Sequence, residues 1–525
     1  MNSSLPSPSI QSPAGKNRSD WPHVADPGDG TFRNPILFAD YSDPDVIRHG
    51  DDFYLTASSF NCTPGLPILH SRDLVNWTLI GHAIENLPHP RYSAVRHGCG
   101  IWAPSLRFHD GRFWIFFPMP DEGIYVVTAE HPAGPWSEPH LVQEGKGLID
   151  PCPLWDDDGK AYLVHAFAHS RAGIKHQLRV CPMSPDGRKL SGSGKIVFHA
   201  PERHPTIEGP KFLKKDGWYY IFAPAGGVAT GWQVALRSRN IYGPYEDRIV
   251  LEQGASDING PHQGALVDTP NGQWWFFHFQ DRGLYGRVVH LQPVEWREGW
   301  PLIGRDSDGN GIGEPVSECA SPVVALRSAP VFPDSSDEFD SVKPGLQWQW
   351  HANHRREWFS LTARPGFLRL FNQPSDAAVL SDTPNLLLQK FPARSFTVET
   401  ALEFFPENSG DEAGLIITGR TFAAIAIRRE RDGNKILFRS NHTETELSIA
   451  DAVRCRFFAD VSPGGICRFR FAIGEDAPKK IDFEFKATAG FWIGAKVGIY
   501  SISRNSAPKG YADFDYFRFS ELRVC

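Results

Sequence analysis

Apolar and polar residues alternate with a period of two in many short runs, separated by Gly, Pro, Asp and Asn. Such runs predict strands, and the breakers between them predict turns. In the first part of the chain these runs fall into a recurring phrase. It consists of a Pro, a short strand-like run, a Gly-containing turn and then aromatic-rich strand residues. The phrase reads DPDVIRHGDDFYLTASS from Asp43, APSLRFHDGRFWIFF from Ala103 and DPCPLWDDDGKAYLVHA from Asp150. It returns as EGPKFLKKDGWYYIFAPA from Glu208 and GPHQGALVDTPNGQWWFFHF from Gly260. The prolines at 44, 104, 151, 210 and 261 place successive copies 60, 47, 59 and 51 residues apart.

A second phrase follows in several copies: HSRDLVNW, TAEHPAGPW and LRSRNIYGPY. Each copy therefore predicts an inner hairpin, with DG or NG at or near the turn in four of them, and then an outer hairpin. Four short strands in about fifty residues is the size of a propeller blade. A blade cannot bury both faces alone, so five of them are expected to close into a ring. The first-domain expectation is thus a five-bladed β-propeller over residues 30–325, after a disordered lead-in at 1–29.

Beyond a Pro/Ser-rich stretch near 335 the pattern changes. SSDEFDSVKPGLQWQW opens a block of alternating runs such as SFTVETALEF, EAGLIITG, AAIAIRR and KVGIYSIS, ending in YADFDYFRF. Period-two alternation over several short runs predicts an antiparallel sandwich, here over 326–525. The whole chain is expected to be all-β. DSDGNG from Asp306 lacks the helical flanks and distal Glu of a calcium loop and reads as a turn.

Composition narrows the class. The 525 residues exceed one ordinary domain, and 41% apolar residues suffice for sizeable cores. A net charge of −7 without a basic run disfavours nucleic acid and anionic membranes as partners. No apolar stretch is long enough to span a bilayer. The start, MNSSLPSPSIQSPAGKNRSDW, is polar and lacks the apolar core of a secretory signal. With eight scattered cysteines and no CxxC pair, a reducing, cytoplasmic location is expected. The 16 Trp, 13 Tyr and 36 Phe fit β cores, and also fit sugar binding, where a ring face packs on a pyranose.

The prolines locate the chemistry. Proline is tolerated at the first residue of a strand and pushes the residue before it towards extended backbone. That preceding residue therefore sits at the entry of each blade's channel-lining strand. Blade 1 holds Asp43 there and blade 3 holds Asp150. Blade 4 holds Glu208 one residue further back. Blade 2 places Trp102 just ahead of Ala103-Pro104, and blade 5 places His262 just after Pro261. A single Asp-Pro is commonly a turn or cap. Three acids in register from three blades repel one another and need a reason. A metal site, a polyhydroxyl-binding site and acid–base catalysis all supply one. Cleavage of a glycosidic bond suits the set, since it needs one neutral acid and one ionised carboxylate, and a third carboxylate can raise the pKa of the acid.

At these residues the sequence resembles glycoside hydrolase family 43. The likeness lies in YSDPDVIRHGDDFYLTASSF with PGLPILHSRDLVNW, then GIWAPSLRF, LIDPCPLWDDDGKAYLVHA, TIEGPKF and YGRVVHLQP. The resemblance implies a five-bladed propeller, often with a C-terminal lectin-like sandwich, that inverts the anomeric centre. It implies Asp43 as general base, Asp150 as pKa modulator and Glu208 as general acid. It further implies Phe60 and Trp102 as walls of the sugar pocket. Arg287 would contact a substrate hydroxyl and the carboxylates, and His262 would lie near the channel axis, where some members bind calcium or water.

The expected activity is an exo-acting β-1,4-xylosidase on xylan-derived oligosaccharides. An α-L-arabinofuranosidase, a dual activity or a non-catalytic sugar-binding propeller are the alternatives. Asn61-Cys62 stands where many relatives carry a second aromatic and is expected to shrink that wall. No cofactor is expected to be required. Asp340 and Asp515 are expected to meet at a structural calcium, the segment between Tyr500 and Asp513 to reach the propeller mouth, and a homo-oligomer is left open.

Overall fold

The computed structural model describes residues 22–525 except 327, 376–378, 442, 450–452 and 523–525. Five antiparallel sheets of four strands follow one another along the chain. They span 45–84, 105–144, 148–199, 211–251 and 262–303, and each is a meander of consecutive strands. The first strands of blades 1 and 2, 2 and 3, 3 and 4, and 5 and 1 approach one another around the axis. Turn chemistry explains the tight inner hairpins. In blades 2 and 4 both central residues of the DG turn are left-handed, Asp110 and Gly111 at φ 47° and 72° and Asp216 and Gly217 at 51° and 71°. Such turns match the right-handed twist of the flanking strands.

The ring is closed through the N-terminal segment. Thr31–Arg33 pairs with Glu318–Ala320 beyond blade 5. Ile36 N–H then donates to Val289 O at 2.8 Å, and Val289 N–H to Leu37 O at 3.1 Å, just before the chain enters blade 1. The expected lead-in is correspondingly shorter. Residues 1–21 lie outside the described residues, but 22–29 are tied down: Arg33 N–H donates to Ala25 O, and Asn76 Nδ2 to the buried Asp26.

The second unit is a sandwich of an eight-stranded and a seven-stranded sheet. Its core is not its own alone, because Phe38, Tyr285 and Val288 of the propeller belong to it. Burying a side chain such as Phe38 contributes roughly 1.5–3 kcal/mol, so this packing joins the two units. The junction is also polar. Thr63 and Trp350 exchange backbone hydrogen bonds at 3.0 and 2.6 Å, and Asn353 caps Leu87 through both its N–H and its C=O.

Four expectations are corrected. Asn61 and Cys62 do not form a pocket wall. They face the sandwich, where Asn61 Nδ2 donates to His351 O at 2.8 Å and Lys496 Nζ lies 3.2 Å from Cys62 Sγ. Asp515 is paired with an arginine and not with Asp340. Asp515 binds Arg454 at 2.7 Å and Asp340 is exposed, and among the described residues no three acidic, His or Cys side chains cluster as cation ligands. The segment from 500 to 513 stays on the sandwich, with Tyr500 donating to Glu412 and Asn372 N–H to Gly510 O. Finally, the residue before the blade proline is not extended in four blades. Asp43, Asp150, Gly209 and Gly260 have φ of 55°, 56°, 58° and 49°. Proline disfavours the right-handed helical region for its predecessor, and here the left-handed region is taken instead. In the Asp306 loop the carboxylate accepts from Gly309 and Gly311 N–H.

Candidate active site

The left-handed kinks aim the acids. A non-glycine residue at positive φ is strained, less so for Asp than for most residues. Asp43 and Asp150 accept that strain at equivalent positions of blades 1 and 3, where each chain turns into its channel strand. Blade 4 has Gly209 at this position, where a Cβ would stand 2.8 Å from the Gln263 side chain, and its acid, Glu208, stands one residue earlier. In blade 3 the turn also breaks the ladder between Ile149 and Cys152, and blade 5 carries a similar bulge between His262 and Gly264.

The seven residues expected to act on or bind the sugar line one cavity of about 230 Å³: Asp43, Phe60, Trp102, Asp150, Glu208, His262 and Arg287. Drug-sized sites run from about 300 Å³ upward, so this cavity suits a single sugar ring. Phe60 is 2% exposed and is fixed by backbone hydrogen bonds in both directions with Ile101. Its ring lies 6.4 Å from that of Trp102.

The carboxyls have unlike surroundings. Asp43 accepts from Arg287 Nη1 at 3.0 Å, from Ser58 Oγ at 2.6 Å and from Ser42 Oγ at 3.1 Å. Arg287 also donates to Ser42 Oγ at 2.7 Å, and its guanidinium sits 4.7 Å over the Phe279 ring. It does not bridge all three acids, since its only carboxylate partner by side chain among the described residues is Asp43. Glu208, with its side chain 26% exposed, is hydrogen-bonded through Oε1 to buried His262 Nε2 at 3.0 Å. Asp150 is 4% exposed and, among the described residues, accepts only from Gly209 N–H, at 2.8 Å.

Burial first, then the Glu208 charge and more weakly that of Asp43, push the Asp150 carboxyl up to about 8. The Asp150–Glu208 pair therefore retains a proton through neutral pH. The same shift bears on stability. A carboxyl raised in the folded state favours folding fully below its ordinary value of 3.8 and loses that contribution as pH rises through about 8. Asparagine cannot ionise, so Asp150→Asn should gain in melting temperature over the parent at pH 9 relative to pH 5. Equal differences at the two pH values would contradict a buried, raised Asp150.

One wall was missed in the sequence. Trp492 enters the cavity from the sandwich, from the loop between Lys479–Lys486 and Lys496–Ser503. Its ring packs 6.3 Å from Trp102, and the Arg287 guanidinium lies 5.8 Å from its centre. The signal was present as Gly490-Phe491-Trp492-Ile493-Gly494, two adjacent aromatics framed by glycines outside any alternating run. Both rings are substantially exposed, at 44% and 51%, which core aromatics are not.

Comparison with known proteins agrees with this geometry. Residues 32–301 match the family described as Glycosyl hydrolases family 43, and 336–520 match the beta xylosidase C-terminal concanavalin A-like domain. A putative beta-xylosidase of Xylanibacter ruminicola is 42% identical over 90% of this chain and 86% of its own length. A non-reducing end alpha-L-arabinofuranosidase of Bacteroides ovatus is 31% identical over 93% of this chain and 94% of its own. The crystal structure of a xylan beta-1,4-xylosidase from Bacillus halodurans superposes with a TM-score of 0.81 at 27% identity, covering 93% of this chain and all of that one. With its propeller, its sandwich and three carboxyls meeting in one cavity, this chain belongs to glycoside hydrolase family 43.

Proposed function

We propose that this glycoside hydrolase is an inverting, exo-acting β-1,4-xylosidase that removes single xylose units from xylan-derived oligosaccharides. The observation that carries this reading is the division among the three carboxyls. One is held by an arginine and two hydroxyls, and the other two share a donor-poor corner and a proton. Asp43 takes a proton from a water, whose oxygen attacks the anomeric carbon. The bond from that carbon to the leaving oxygen breaks, and Glu208 gives its proton to that oxygen. Asp150 keeps the pair protonated. The single-ring cavity supports exo action, with Phe60, Trp102 and Trp492 enclosing the terminal sugar.

Proton NMR of the first-formed sugar tests the reaction. A β-xyloside should release α-D-xylose before mutarotation, and first release of the β anomer excludes inversion. A panel of aryl glycosides then assigns the sugar. Turnover chiefly of the α-L-arabinofuranoside would move the chain to the activity named for its Bacteroides relative. No turnover of any member would leave a sugar-binding propeller.

A further inference from the structure

We propose that Asp40 is a positioning residue that couples the sandwich to the sugar cavity, resting on the reading above that this cavity holds the terminal sugar. Asp40 is 6% exposed and lies three residues before Asp43. Its Oδ1 accepts the backbone N–H of Arg287 at 2.9 Å. Its Oδ2 accepts the backbone N–H of Gly494 at 2.9 Å. One carboxylate thus fixes two segments about two hundred residues apart in sequence. The first carries the arginine that grips Asp43, and the second carries Trp492.

The surroundings are built for this contact. Gly286, at φ 74°, leaves no room for a side chain, since a Cβ there would stand 2.4 Å from Asp40 Cγ. A Cβ on Gly494 would stand 2.7 Å from Gly286 N. The two loops therefore cross backbone to backbone over the carboxylate. Ala495 N–H reinforces the crossing by donating to Leu284 O at 2.7 Å. Two N–H groups converge on Asp40, so both of its side-chain oxygens must accept. Asparagine can satisfy one and turns an NH₂ group on the other, leaving a buried donor unpaired. The propeller's arginine and the sandwich's tryptophan, 5.8 Å apart in the lining of the sugar cavity, are then no longer held to a common point.

The test uses the full chain and D-xylose as the probe, read by calorimetry, with melting as the control for folding. Asp40→Asn and Trp492→Ala should each weaken D-xylose binding, by roughly tenfold. If Asp40 acts through Trp492, the double variant should lose clearly less than the product of the two single losses. Hydrogen exchange on the unaltered protein gives a second measure. D-xylose should slow exchange in the peptides holding Arg287 and Gly494 together.

A parent-like affinity in Asp40→Asn, a fully multiplicative double variant, or protection of only one of the two peptides would overturn the coupling. A purely architectural Asp40 would lower the melting temperature without that non-additivity. Failure of the underlying reading looks different: the unaltered chain would neither bind D-xylose nor turn over any glycoside, and the proposal falls with it.

Discussion

Asp43→Asn is expected to lower kcat on aryl β-D-xylosides by about 10⁴-fold, the upper end of what one general base contributes. The amide keeps the size of the carboxylate and can still accept from Arg287, which now holds it at 3.0 Å. It cannot take a proton from water. Its NH₂ then stands at the Oδ2 position, opposite both serine hydroxyls that now donate to Asp43. The loss should therefore fall mainly on kcat, with D-xylose binding changed much less, because shape is kept and only the step after binding is removed. Azide needs no deprotonation to attack, so it should restore part of the rate on a substrate with a good leaving group. Near-parental turnover would remove Asp43 from the base role. A lost rate accompanied by a lost fold would leave the role to be read from the azide experiment on a milder change, such as Asp43→Glu, whose carboxylate is retained but displaced.

The propeller was legible because its signal is redundant. Five copies of a phrase with one proline and one turn in each register the blades against one another. Three acids found in that register must then meet. The sandwich was legible for a simpler reason, as alternation marks the two sheets. What escaped was everything decided between the two units. Trp492 is distant in sequence from the acids, and no local pattern ties it to them. Asn61 and Cys62 were read as part of the pocket because they follow Phe60, but the chain turns at Phe60, whose φ is 52°, and carries them into the interface. The left-handed kinks at Asp43 and Asp150 were missed because proline's push of its predecessor towards extended backbone is a preference, and it gives no sign of a turn that overrides it. The partner of Asp515 escaped for a like reason: Arg454 lies 61 residues earlier on another strand, and no local pattern ties the two together.

Glu208→Ala should separate substrates by their leaving groups. On xylobiose, whose departing oxygen must be protonated, the loss is expected to reach about 10³–10⁴-fold. On a dinitrophenyl β-D-xyloside, which departs as a stable anion, the loss should stay below about 10²-fold, and the decline of rate towards alkaline pH should flatten. That pattern decides between Glu208 and Asp150, which share the proton. Burial and the Glu208 charge hold Asp150 up to about 8, so a count of protons alone would let either deliver it. Geometry favours Glu208. Its side chain is 26% exposed in the cavity and pinned from behind by His262, whereas Asp150 is 4% exposed and turned onto the Gly209 N–H. Asp150→Ala should accordingly cost both substrates more evenly. If instead the leaving-group dependence follows Asp150→Ala, the acid is Asp150, and Glu208 serves it as the neighbouring charge.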